Sequence, residues 1–439
     1  MAKIGLSFTI LVLVMAAVPA LADSLPHLEW VYSYDSPAQG SERGRDAVVD
    51  DDGNVYAVGS ETRSDLQQLQ NILIKKFAPD GSVLWTSTYD GPDHREDLGY
   101  GIALDAGGNV YVTGYQRDSD LLRHVWLRKY NPQGGVLWTN TYNSPGYEGT
   151  VGEFGQGVAI DSEANLYVTG YSVSSDSMHS LFLHKFDADG GEIWKQQYAD
   201  PGYDHISCAV EADSQGNVYV AGYRKEGFFG EITKPVFQKY DTDGNLLWSK
   251  TDAVFADGCK RINDIDIDGE DNVIMTGYEM VEGSDSAIFI GKYDSDGENV
   301  WRTNYNTPSD FVPYLEDCGY GVTVDDMDDV YVTGRIGYFF MSSNQGSIFI
   351  GKYSGADAST IWETAYALEN TTRDIGYSIA VDDAGNVYVT GVQGNTGTVP
   401  DDFVLLKYAQ IPEPSTILLM LGSASSLAFA AGTLRKRIC

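Results

Sequence analysis

Four marks recur in register along this chain, seven times over, and only a repeated structural unit can hold them so. An Asp closes a first apolar segment at Asp50, Asp105, Asp161, Asp213, Asp268, Asp325 and Asp382. A Gly closes a second at Gly59, Gly114, Gly170, Gly222, Gly277, Gly334 and Gly391, with 52 to 57 residues between successive glycines. A Lys-aromatic pair closes a third, from Lys76-Phe77 to Lys407-Tyr408. A Trp marks a fourth at Trp85, Trp138, Trp194, Trp248, Trp301 and Trp362. A period of this length is the signature of stacked or radially arranged units that bury a core only against their neighbours.

Each segment runs five to eight residues, is rich in Val, Ile, Tyr and Thr, and is bounded by turn residues. These are strand signals, and four short strands per repeat is the propeller pattern. The seventh repeat stops at Tyr408 without its Trp segment, while the N-terminus carries an orphan one, Leu28 to Tyr34, around Trp30. The expected fold is therefore all-β: a seven-bladed β-propeller of four-stranded blades, with the N-terminal strand closing the last blade. Closure removes the open sheet edges that invite aggregation. The repeats, typified by Asn109 to Tyr115 followed by Lys129-Tyr130, resemble the SBBP bacterial beta-propeller repeats over roughly residues 28–409. That resemblance speaks for fold and leaves function open, since such scaffolds host many activities.

The two ends read differently from the body. Lys3, the apolar run Ile4 to Val18 and Ala20-Leu21-Ala22 form a secretory signal peptide, residues 1–22. The propeller would occupy 23–410. Residues 411–439 hold an uncharged 18-residue stretch, Ile417 to Leu434, followed by Arg435-Lys436-Arg437. That is about the minimum for a transmembrane helix, and its basic end would stay cytoplasmic. With Pro412-Glu413-Pro414 just upstream, the order of parts resembles the PEP-CTERM sorting signal of exported bacterial proteins. The resemblance implies an exosortase as processing partner, transient residence in the inner membrane, and then the cell surface or a matrix of extracellular polysaccharide.

Without the four basic residues and one acid of the two ends, the body has 25 Lys and Arg against 62 Asp and Glu, a formal charge of −37. Such a surface repels phosphate backbones, which argues against a nucleic-acid partner. Cys208, Cys259, Cys318 and Cys439 show no C-x-x-C spacing, so no zinc or thioredoxin-like motif is indicated. Export permits a disulfide among the first three without choosing a pair.

Strand order puts the short, stereotyped turns on one face and the variable loops on the other, where binding on repeat scaffolds tends to sit. The candidate ligand face comprises Tyr147, Tyr203, Phe228, Phe229, Phe311, Tyr314, Tyr338, Phe339 and Phe340. Aromatic planes beside Asp and Asn suit sugar rings; the competing reading packs each ring beneath its own loop. Eight residues before the Asp marks stand Glu42, Asp97, Glu153, Asp317 and Asp374. These acids suit calcium, the one cation indicated, or else each caps an adjacent turn. No cofactor is indicated otherwise, and no nucleophile, zinc or phosphate-loop motif occurs. The expected function is a non-enzymatic surface or matrix protein that engages polysaccharide or another surface protein; the alternative is an exported polysaccharide hydrolase or lyase.

Overall fold

A computed structural model describes residues 25–410 except 38–39, 64–68, 143–149, 176–177, 201, 227–231, 252–258, 282–285, 308–315, 339–344, 368–372 and 395–400. The segments expected to be a signal peptide and a sorting tail, the latter with Pro412, Glu413, Pro414, Arg435, Lys436 and Arg437, lie outside the described residues. The described body is an all-β propeller of 28 strands.

The strands of each repeat follow one another as an antiparallel meander. The N-terminal strand His27–Tyr34 joins the last three, giving a sheet in which Tyr34 pairs with Phe403 and His27 with Ala409. The expectation of seven separate blades is corrected in one respect. Five four-stranded sheets stand alone, and the second and third repeats share one eight-stranded sheet. The cause is local: the innermost strand Thr150–Ile160 has 11 residues where its equivalents have seven to nine. Its extra length reaches the preceding repeat through one parallel pair, Gly152 with Arg123. Isolated parallel bridges of the same kind link Ser286 to Glu316 and Gly346 to Arg373.

Apolar side chains bury between consecutive repeats rather than within one. Seven core clusters are found among the described residues, and each spans two neighbouring repeats. One of them joins Tyr388, Phe403 and Leu405 of the last repeat to Val55, Ala57 and Phe77 of the first. A repeat cut out of this ring would expose both faces, so stability is a property of the closed circuit.

The marks have physical reasons. The Asp accepts the backbone N–H of the turn Asn at 2.8 Å in Asp50, Asp105 and Asp161, and so holds the tight turn. Its other oxygen accepts a Tyr hydroxyl, as from Tyr56 at 3.0 Å and Tyr331 at 2.9 Å. The Lys of the third strand reaches the same carboxylate in the first six repeats, from 2.7 Å for Lys292–Asp268 to 3.9 Å for Lys185–Asp161, while Lys407 pairs with Glu29 of the N-terminal strand at 2.9 Å. The Trp indole N–H crosses to the next repeat: Trp30 donates to Pro79 O, Trp85 to Pro132 O, Trp138 to Ala188 O, Trp194 to Thr242 O and Trp301 to Gly355 O. Only Trp301 and Trp362 are buried; Trp30, Trp85, Trp138, Trp194 and Trp248 are half-buried, because one ring edge rests on the rim. Trp362 faces the repeat whose outer strand is supplied by His27–Tyr34, and among the described residues its indole N–H has no acceptor.

Candidate functional site

The Gly mark carries the most consequence for function. A Cβ on Gly59, Gly114, Gly170, Gly222, Gly277, Gly334 or Gly391 would lie 1.7 to 2.1 Å from a carbonyl oxygen of the innermost strand. The glycine makes room for that carbonyl because the innermost strand bulges there. Each of the seven innermost strands has a register shift at the same position. The extra residues are Arg45, Tyr100, Gln156, Cys208, Asn263, Tyr320 and Tyr377. A bulge re-aims a side chain and commonly does so next to functional sites. Here all seven line a central cavity of about 630 Å³, a volume in the range of ligand sites.

The cavity has two chemical levels. One holds the bulge residues together with Arg261. The Arg45 guanidinium stacks between Tyr377, at 4.8 Å, and Tyr100, at 5.3 Å, and Tyr377 meets Tyr320 edge-on at 5.3 Å. Arg261 lies 4.3 Å from the Tyr223 ring and 3.9 Å from Cys208 Sγ, and its Nε–H is buried without an acceptor. Among the described residues neither Arg45 nor Arg261 has a carboxylate partner, whereas Arg43, Arg117, Arg224, Arg302 and Arg335 each have one.

The second level is acidic. Asp46 accepts from Ser378 Oγ at 2.7 Å and from the Ile102 N–H of the next repeat at 3.0 Å. Asp264 and Asp266 likewise accept from Val322 and Val324 N–H, both at 2.9 Å. These carboxylates satisfy N–H groups on the inner edge of a neighbouring sheet, which faces the channel with no strand beside it. Glu211 shares this wall with fewer ties. Burial raises the carboxyls of Asp46 and Asp266 above the usual range, and those of Asp264 and Glu211 well above it. Burial also raises the thiols of Cys208 and Cys318, and that of Cys259 to about 12, so all three stay protonated and unreactive at neutral pH. All three are free thiols.

The outer loops contribute less to the description. Tyr147, Phe228, Phe229, Phe311, Tyr314, Phe339 and Phe340 lie outside the described residues, and Tyr338 only ends the strand Val330–Tyr338. Tyr203 is exposed and stacks on the Arg224 guanidinium at 5.0 Å. Of the five acids at matching positions, Glu42 alone stands, among the described residues, in a group of carboxylates close enough to share a cation. Glu42, Asp97, Glu153, Asp317 and Asp374 are all buried, each at the start of its own repeat. Asp97 accepts the N–H groups of Gly91 at 2.5 Å and Arg117 at 3.0 Å. Asp317 does the same with Thr307 at 2.7 Å and Gly337 at 2.9 Å. At these positions the capping role holds. The channel was missed because its residues differ from repeat to repeat. The available signal was the inverse of a mark: one position of changing chemistry, five before each Asp, inside an otherwise constant frame.

A family model described as "Beta-propeller repeat" matches residues 368–392. An uncharacterized WD repeat-containing protein of Acanthamoeba polyphaga mimivirus is 25% identical over 279 residues, 54% of this chain but only 18% of that protein's length. Among solved structures, a protein of unknown function from Dyadobacter fermentans aligns over 88% of this chain and 99% of its own, at 11% identity and a TM-score of 0.48. The polysaccharide lyase Uly1 aligns over 83% and 90%, at 10% identity and 0.48. The quinohemoprotein alcohol dehydrogenase of Comamonas testosteroni aligns over 88% and 77%, at 11% and 0.45. No activity is carried over from any of them.

Proposed function

We propose that this protein is an exported, non-enzymatic binding propeller of the cell surface or extracellular matrix, whose ligand is an acidic polysaccharide received in the central channel. The carrying observation is the pair of guanidiniums, Arg45 and Arg261, that have no carboxylate partner among the described residues of a strongly acidic chain. An unpaired charge in a low-dielectric wall is costly, and a bound anion relieves that cost. Tyr100, Tyr320 and Tyr377 offer ring faces, while Gln156 and Asn263 offer amides for hydroxyl edges. A sugar ring bearing a carboxylate matches that combination of apolar face, hydroxyl edge and charge. The ring itself is read as seven units, with the eight-stranded sheet counted as two blades because one parallel pair is what joins them. Export and release follow the PEP-CTERM reading of residues 411–439, with an exosortase cutting near Pro412 to Thr416.

Calorimetric titration with uronate oligosaccharides, beside neutral ones of equal length, tests the ligand class. Arg45→Ala and Arg261→Ala should each weaken uronate binding about 10- to 100-fold, the size of a charge-assisted hydrogen bond of roughly 1.5–3 kcal/mol. Equal affinity for neutral oligosaccharides, or unchanged binding by both variants, would sink the proposal. Mass spectrometry of surface-released protein tests the sorting arm, and an intact terminus at Cys439 would overturn it. One observation favours the hydrolase or lyase alternative: Glu211, whose carboxyl burial raises well above the usual range beside Asp264 and Asp266, has the character of a general acid. Shortening of the oligosaccharide that disappears in Glu211→Gln would select that reading.

A further inference from the structure

We infer that Asp35, Glu42 and Asp402 form a calcium site at the seam where the ring closes. One oxygen from each carboxylate lies within 4.8 Å of the other two. The three come from separate stretches of chain that the closure brings together. Asp35 directly follows the closing strand His27–Tyr34, and Asp402 opens the strand paired with it, one step beyond the Tyr34–Phe403 pair. Glu42 directly precedes Arg43–Val49, and its backbone N–H donates to Asp401 O at 2.8 Å.

A cluster of acids alone would mean little on so acidic a protein. The second observation is Glu42 itself. It is 0% exposed. Its Oε1 accepts the Thr62 N–H at 3.2 Å, while its buried Oε2 has no donor in hydrogen-bonding geometry among the described residues. At the matching position of two other repeats, both oxygens of Asp97 and of Asp317 are taken by backbone N–H groups. Among the described residues, only at the seam do two further carboxylates stand beside such an acid. Buried polar oxygens without partners are rare and costly, and a cation supplies what the backbone does not.

The donor set is oxygen only, which selects a hard cation over zinc or copper. Calcium binds oxygens at about 2.3–2.6 Å, so ligands on opposite sides of it stand up to about 5 Å apart; magnesium, at about 2.0–2.1 Å, allows only about 4.2 Å. All three oxygens lie within 4.8 Å of one another, and three carboxylates at one point exceed the one or two that usually hold magnesium, which favours calcium. A bound ion would tie the end of the closing strand to both strands it bridges, so calcium would act as a clasp on the ring.

The test uses the full-length protein, stripped with chelator and titrated with calcium chloride by calorimetry and thermal unfolding. One calcium per chain is expected, together with a rise in unfolding temperature, since a ligand that binds only the folded state stabilises it. Asp35→Asn, Asp402→Asn and Glu42→Gln should each weaken that binding at least about tenfold by removing ligand charge. Asp97→Asn, an acid outside the cluster, should respond to calcium as the parent does. Asp35 is exposed, so its variant tests the site without threatening the fold. No binding heat and no shift at about 10 mM calcium, well above the ~1 mM of weak extracellular sites, would overturn the inference. So would an unaltered calcium response in the Asp35 and Asp402 variants.

Discussion

Replacing Gly114 by Ala puts the link between sequence mark and channel to its most direct test. The added Cβ would stand 1.9 Å from the Leu98 carbonyl oxygen, 2.9 Å from its carbon and 3.0 Å from Gly99 Cα. Ordinary van der Waals contact begins near 3.4 Å, so the two backbones would have to part by more than 1 Å. None of the three atoms belongs to a flexible side chain. Both strands are also held by their other partners, Val110–Arg117 by Arg123–Tyr130 and Leu98–Leu104 by the core against the first repeat. Overpacking costs about 1–3 kcal/mol, and losing one or two ladder hydrogen bonds adds about 0.5–1.5 kcal/mol each. A destabilisation of roughly 3–5 kcal/mol is expected by denaturant unfolding. Gly107→Ala is the control, since its nearest neighbour, Asp105 Oδ1, is 3.2 Å away and its backbone is ordinary. It should change stability by less than about 1 kcal/mol. Should Gly114→Ala match that control, the glycine is not what admits the bulge, and the channel has another cause.

The seam predicts an asymmetry among the tryptophans. Trp301→Phe should cost about 1 kcal/mol more than Trp362→Phe, because the Trp301 indole donates to Gly355 O at 2.8 Å and the buried Trp362 indole has no acceptor; paired unfolding curves decide it. Burial lowers His184 from 6.5 to about 3, so the folded state stays neutral where the unfolded chain takes up a proton. Its share of stability is complete above pH 6.5 and declines as the pH falls toward 3, by about 2 kcal/mol at pH 5. His184→Phe should therefore gain on the parent protein as the pH drops from 8 to 5, and a pH-independent difference refutes the assignment. Ala164 occupies a left-handed turn at φ 63°, where four other first turns place Gly53, Gly108, Gly216 and Gly385. Ala164→Gly should stabilise by about 1 kcal/mol, read from the denaturation midpoint, and a loss of stability would contradict the strain argument.

What the chain settles by itself is the repeat and its chemistry. Asp, Asn, Tyr and Lys meet around most of these turns, within a few strands of one another, so their spacing survives as a visible period. The orphan segment around Trp30 likewise announced the pairing of His27–Tyr34 with the last repeat, because a missing fourth strand and a spare one can be counted. The eight-stranded sheet could not be read in that way, since it hangs on the extra length of Thr150–Ile160 and a single contact to Arg123. The seven-residue channel ring was equally hidden. Arg45, Tyr100, Gln156, Cys208, Asn263, Tyr320 and Tyr377 share no single residue type, three being Tyr and the other four all different, and successive members stand more than 50 residues apart. Only the bulge opposite each glycine turns them to a common axis, and only closure of the ring gives that axis a wall. The seam acids follow the same rule: Asp35 and Asp402 are 367 positions apart, and no local pattern brings a carboxylate from one end of a chain to the other. Local chemistry repeats and is legible in order along the chain; convergence belongs to the circle, and it exists only once the circle has closed.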